Sequence, residues 1–317
     1  MFGTVMSRCF SRDFLSSGGD IGTWLGVAFI WLISLLPQGL RHPLGFGIGR
    51  LAYRYNHKRR SIVETNLRHC FPEKSAQEID ELTREHFRCM GRGFIDYGVF
   101  WFGDREALVA SVRVDGWEHV EQAQREGKTV IYHVAHCASL EFSGIGIGPR
   151  EPVTGFYQPL KNQVVNCLIT QGRERFGVSL IQRKDGLRGY LKALKAGQSL
   201  FNLTDEDMGD KQSTFAPFFA ERKATLLITA KLAARGNIAV IPLMVHFDTS
   251  KKQYVTRLMP VLEGISGKDE NAEQDAQILN EGLEGLIREN PAEYMWTLRL
   301  FKTRENGESI YTYRKKR

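Results

Sequence analysis

From residue 129 onward, apolar positions run in short β-branched blocks that alternate with stretches of helical period. Thr129–Val134, Val153–Tyr157, Ser199–Leu203, Ile238–Val245 and Tyr254–Leu258 read as strands. Such blocks, apolar at nearly every position, suit strands buried on both faces. Between them, Ser139–Ile145, Gln163–Phe176, Leu187–Ala196, Thr225–Ala234 and Glu273–Glu289 read as helices. The last places Ile278, Leu279, Leu283, Leu286 and Ile287 on one face. Strand–helix alternation predicts an α/β fold, a layered αβα sandwich around a largely parallel sheet. Upstream, Ser75–Phe100 has helical spacing behind a capping box of Ser75 and Glu78, and Val120–Arg125 reads as a short helix.

The N-terminal pattern is different. Ile21 to Leu40 carries no charge, and its most apolar part, Ile21–Leu36, ends at Pro37. Sixteen helical residues reach about 24 Å, short of the roughly 30 Å hydrocarbon core. The run is a short or tilted span, a re-entrant anchor or a buried core helix. Six Lys/Arg and no acid follow between Arg41 and Arg60, while Arg8 and Arg12 alone precede the run. That asymmetry predicts a short membrane-anchoring helix in residues 1–40 and a domain at 41–317 on the cytoplasmic side. The basic flank would also meet anionic headgroups, at about 1 kcal/mol per Lys or Arg near the surface; a solvated basic linker is the bland alternative.

Composition narrows this only a little. With 42% hydrophobic and 25% charged residues, the chain can bury a large core. A net charge of +7 suits an anionic partner without naming it. Five scattered cysteines without a C-x-x-C argue against a disulfide framework and against a structural zinc site. The sequence contains no P-loop, no G-x-S-x-G, no H-E-x-x-H and no nucleic-acid-binding motif.

Candidate chemistry gathers where strands end. His136 lies just past one strand, with Glu141 five residues on. A neutral imidazole can take a proton from a hydroxyl, and a carboxylate can hold it in the right tautomer. The spacing alone also fits a strand-end histidine bonded to backbone. Cys137 diverges from its neighbour, which disfavours a cysteine–histidine pair, and His133, inside the strand, reads as structural. Asp205-Glu206-Asp207-Met208-Gly209 follows another strand; its acids could bind Mg²⁺, bind sugar hydroxyls or fix a loop. The Phe215–Ala220 stretch reads as an aromatic loop, lining an acyl groove or packing under the core. Lys161, Arg173, Arg175, Arg183, Lys184, Arg299, Lys302 and Arg304 could contact phosphate, though some are plain surface charge.

Together these stretches resemble the late (secondary) acyltransferases of lipid A biosynthesis, of the lauroyl and myristoyl transferase type, within the lysophospholipid acyltransferase-like group. The resemblance spans nearly the whole chain. It rests on the apolar N-terminal helix, Asn66-Leu67-x-x-Cys70-Phe71-Pro72-Glu73, His136-x4-Glu141 and Gly172-Arg173-x-Arg175-Phe176-Gly177. It continues through Arg183-Lys184-Asp185, Asp205-x-Asp207-x-Gly209, Glu293-Tyr294-Met295-Trp296 and Phe301-Lys302-Thr303-Arg304. It implies His136 as general base assisted by Glu141, with Arg173, Arg175, Arg183, Lys184, Asp205, Asp207, Lys302 and Arg304 as substrate-binding residues. The implied donor is an acyl carrier protein thioester. The implied acceptor is a hydroxyl of a Kdo-bearing lipid A precursor, at the cytoplasmic face of the bacterial inner membrane. Membrane lipids are a further partner, and no metal, organic cofactor or nucleic acid is implied. One departure is Tyr157-Gln158-Pro159, where lauroyl-type relatives often carry Tyr-Arg-Pro; a phosphate contact is then missing or supplied by Lys161. A lysophospholipid, glycerolipid or other lipid acceptor would use the same pair, and a non-catalytic lipid- or carrier-binding protein is the reading from another class.

Overall fold

The structure is a computed structural model that describes residues 9, 21–182 and 186–311. Among the described residues, four helices precede the α/β part: α1 (Ile21–Ser34), α2 (Gln38–Tyr55), α3 (His57–Cys70) and α4 (Ala76–Phe102). The expected capping box starts α4: the Ser75 hydroxyl accepts from the Glu78 N–H at 3.3 Å, and the Glu78 carboxylate accepts from the Ser75 N–H at 2.7 Å. Helices α2 and α4 pack backbone to backbone. A Cβ on Gly49 would stand 2.2 Å from the Phe87 carbonyl oxygen, and one on Gly91 2.1 Å from that of Gly45.

Helix α1 buries Val27, Ile30 and Ile33 and exposes Ile21, Leu25, Phe29 and Leu32. Ile30 lies against Gly98 of α4. Among the described residues no helix is long and apolar enough to cross a membrane.

The α/β part follows as α5 (Arg105–Ser111), β1 (Val112–Asp115), α6 (Trp117–Arg125), β2 (Thr129–Val134), α7 (Glu141–Ile147), β3 (Val153–Tyr157), α8 (Gln163–Glu174), β4 (Val178–Gln182), α9 (Gly186–Lys195) and β5 (Ser199–Asn202). It continues with β6 (Ser213–Phe218), β7 (Glu221–Leu226), α10 (Ile228–Ala233), β8 (Ile238–Asp248), β9 (Gln253–Leu258) and α11 (Ala272–Glu289). Seven strands form one sheet in the order β1-β9-β8-β2-β5-β3-β4, parallel except for β8 against β9.

The sheet is covered on both faces, as its unbroken apolar strands require. Val130, Tyr132, Val134 and Phe201 pack in one core with Phe142 and Ile145 of α7, Val164 and Leu168 of α8 and Phe100 of α4. The alternate residues Ile131, Leu200 and Val240 form a second core under Tyr190 of α9, Leu232 of α10 and Leu279 of α11.

The sequence pattern misses the two edge strands. β1 reads Val-Arg-Val-Asp and β4 Val-Ser-Leu-Ile-Gln; both are short and partly polar, as edges tend to be. It also misassigns residues 213–226. The expected aromatic loop and the start of the expected 225–234 helix are a two-stranded antiparallel hairpin, β6–β7, and the helix begins only at Ile228. Pro217 disguised the strand, since proline is confined to edges and bulges in sheets; here it pairs with Arg222 in an isolated ribbon. The cysteine reading is corrected at one pair. Cys9 and Cys167 form a disulfide, while Cys70, Cys89 and Cys137 are buried free thiols.

Candidate active site

The parallel register of β2 and β5 aligns His133 with Asn202. Continuing both strands by three residues brings His136 opposite Asp205. The two side chains meet: His136 Nδ1 lies 2.5 Å from Asp205 Oδ1, and the His136 backbone N–H donates to Asp205 Oδ2 at 2.8 Å. Asp205, whose pKa is lowered to about 2, is ionised, so Nδ1 carries the proton it shares with Asp205. Nε2 then holds the free lone pair. Burial opposes charge on His136, but the Asp205 carboxylate outweighs it and raises the imidazole pKa above its usual 6.5. Asp205 is fully buried; burial alone would raise its pKa, yet His136 lowers it to about 2.

Glu141, expected to hold His136, is held elsewhere. Arg173 Nε and Nη2 donate to its two carboxylate oxygens at 2.9 and 2.7 Å, a bidentate pair. The Tyr97 hydroxyl points at the same carboxylate from 3.5 Å. The reason is geometric. Glu141 opens α7 on the α8 side of the sheet, where Arg173 projects, while Nδ1 of His136 faces the end of β5. Arg173 keeps Nη1 outside this pair, and its charge works against protonation of His136.

A backbone bracket fixes the turn that carries His136. Cys137 bridges to Tyr294, the Met295 N–H donates to the His136 carbonyl at 2.9 Å, and the Ala138 N–H donates to the Glu293 carbonyl at 2.8 Å. The bracket is itself anchored. The Glu293 carboxylate pairs with buried Arg92 and accepts the Phe247 N–H at 3.1 Å. Asn66 Nδ2 donates to the carbonyls of Trp296 and Leu298, both at 2.7 Å. The sequence marked these stretches only as matching motifs; their contacts join segments up to 232 residues apart.

Asp207 closes the β5 loop. It accepts from the Thr303 N–H at 2.5 Å, the Thr303 hydroxyl at 2.8 Å and the Gly209 N–H at 3.0 Å. Lys223 of β7, fully buried, stands near both Asp205 and Asp207; burial lowers its pKa while the two carboxylates oppose that. No sequence signal pointed to it, because its strand was itself unrecognised.

The other expected site residues divide. Arg175 caps α8 and spends its guanidinium on the carbonyls of Trp101 and Gly103, at 2.9 and 2.7 Å. It therefore ties α8 to the end of α4. Arg304 pairs with Glu221 at 3.0 Å, and Lys302 is exposed. Arg183 and Lys184 lie outside the described residues. Cys137 is buried, and burial pushes its thiol up to about 12, which disfavours the thiolate. His133 is neutral, lowered to about 4 by burial, and donates from Nε2 to the Leu279 carbonyl at 3.1 Å.

His136, Glu141 and Arg173 line a cavity of about 1180 Å³ at the carboxyl ends of β2, β3 and β5. Val134, Leu140, Phe156, Ile169 and Leu180 make much of its wall apolar. The cavity thus brings an oriented imidazole and a fixed guanidinium to a largely apolar wall.

Residues 10–303 match the model of the bacterial lipid A biosynthesis acyltransferase family. The lipid A biosynthesis lauroyltransferase of Escherichia coli (strain K12) is 35% identical over 286 residues, covering 90% of this chain and 92% of the relative. The lipid A biosynthesis palmitoleoyltransferase of the same organism is 35% identical over 301 residues, covering 95% and 97%. Its lipid A biosynthesis myristoyltransferase is 28% identical over 296 residues, covering 93% and 91%. The chain belongs to the bacterial lipid A biosynthesis acyltransferase family. It is an enzyme that transfers acyl groups.

Proposed function

We propose that this enzyme moves a fatty acyl chain from an acyl carrier protein thioester to a hydroxyl of a Kdo-bearing lipid A precursor. The observation that carries the reading is the imidazole of His136, oriented through Nδ1 by a buried carboxylate, at a large apolar cavity beside Arg173. Neutral His136 takes the acceptor hydroxyl proton at Nε2 as the oxygen attacks the thioester carbonyl. Asp205 orients the ring and stabilises the imidazolium. Arg173, set by Glu141, turns Nη1 toward the oxyanion. The carbon–sulfur bond then breaks, and the imidazolium returns its proton to the thiolate. In this reading Glu141 acts through Arg173 rather than on His136. Among the other expected substrate-binding residues, Lys302, Arg183 and Lys184 remain candidates for phosphate, and Arg175, Arg304 and Asp207 are structural.

The exposed apolar stripe of α1, beside exposed Leu40, Leu44 and Leu51 of α2 and exposed Arg50, Arg54 and Lys58, suits an amphipathic anchor lying in an anionic membrane surface. On this reading the domain sits at the cytoplasmic leaflet of the bacterial inner membrane, with residues 1–40 as its anchor and 41–317 as its catalytic part. Mass spectrometry of lipid A from cells with the gene, without it, and with His136→Ala tests the whole reading. One added acyl chain should appear only with the wild-type gene; identical lipid A in all three strains would remove it.

A further inference from the structure

Gly155 is a glycine that the fold does not require. It lies inside β3, between β4 and β5 in the sheet, with no positive φ. A Cβ placed on it would meet only two atoms within 4 Å, Phe201 Cβ at 3.7 Å and Val178 Cγ1 at 3.9 Å. Both are ordinary contacts, and neither is backbone. Gly144 of α7 differs: its Cβ would crowd Val178 Cγ2 at 3.1 Å, so its smallness serves helix-to-sheet packing. Glycine inside a strand weakens it and often marks close approach by another backbone or by a ligand. No backbone comes close here, which leaves a ligand. Gly155, Val178, Phe201 and Gly144 all line the cavity that His136 and Arg173 open on. They form an apolar slot between the sheet and α7.

We propose that Gly155 sets the acyl-chain length this enzyme accepts, by leaving open the part of the slot that a side chain would fill. The inference rests on the acyl-transfer reading above. A β-branched residue suits a strand, so Gly155→Val changes the slot with little backbone penalty. Excluding one methylene from an apolar pocket changes selectivity by about 10–200-fold.

Two measurements test it on the full-length, detergent-solubilised enzyme. Binding of decanoate, laurate, myristate and palmitate reads the slot alone; kcat/KM with the matching acyl carrier protein thioesters reads the reaction. Gly155→Val should lose about 10-fold or more against the longest chain the wild type takes and keep the shorter ones. Gly155→Ala should fall between, and Val178→Ala, which widens the slot, should shift preference the other way. A preference unchanged in both Gly155→Ala and Val178→Ala, or one equal loss at every length, overturns the proposal; these two variants decide it even where Gly155→Val does not fold. Length-dependent binding that responds to Gly155 in a protein without lipid A acyltransfer would sink the function reading and leave this one standing.

Discussion

His136 and Asp205 stand three residues beyond a paired position of two neighbouring parallel strands, and their side chains meet at 2.5 Å. Sheet register thus builds the contact, and neither residue needs a special loop to reach the other. Asp205→Asn keeps the shape but presents an amide that can accept from Nδ1–H through its oxygen alone and carries no charge. It should lower kcat on the order of 10²–10⁴-fold with little change in KM. Steady-state kinetics on membranes carrying the variant checks this; a rate near wild type would assign the orienting role elsewhere.

The pH dependence follows from the same pair. The base works neutral, and Asp205 holds the His136 pKa above 6.5 against the effect of burial. Activity should therefore rise with pH through that raised value, and Asp205→Asn should move the inflection down. Stability runs the other way for His136: its contribution is full below 6.5 and is lost as pH rises through the folded value. Asp205, near 2 in the fold against 3.8 ordinarily, stabilises above 3.8 and ceases to do so as pH falls toward 2. Log kcat/KM against pH for both proteins tests the first statement, and thermal melts across pH test the second.

Glu141 and Arg173 should behave as one unit. Removing either partner of a buried pair leaves an uncompensated charge, at about 3–5 kcal/mol of stability. Glu141→Gln should also misplace Nη1 and cost on the order of 10²–10³-fold in kcat, as loss of one oxyanion donor does. A double-mutant cycle with Arg173→Met should show strong non-additivity. Additive losses would mean that the two act independently.

Asn66 anchors the bracket behind His136 through two carbonyls and accepts from the Tyr311 hydroxyl at 2.6 Å. Asn66→Ala strands these buried groups, at about 1–3 kcal/mol for each one left unsatisfied. Denaturant melts should register the loss. Activity should fall further than stability does, because the bracket positions the base.

Leu25, Phe29 and Leu32 are more than half exposed on α1. Replacing all three with serine should move the protein from the membrane to the soluble fraction, since membrane binding scales with buried apolar area. Activity on detergent-dispersed substrate should persist. A triple variant that still sediments with membranes would assign attachment to another surface.

The sequence by itself determined the layered α/β class, the five interior strands and the place of His136 at a strand end, because buried strands and amphipathic helices write their periods locally. It missed β1 and β4, whose edge positions relax the apolar pattern, and the β6–β7 hairpin, which Pro217 disguised. Spacing suggested Glu141 as the partner of His136 because a linear reading sees near neighbours but not which strands lie side by side. The partner is 69 residues away and is chosen by the register of β2 on β5. Likewise Arg173 was visible as a cation, but its bond to Glu141 across α7 and α8 was not. The tertiary structure decided these pairings because parallel strands joined by crossover helices bring distant loops together at one edge of the sheet.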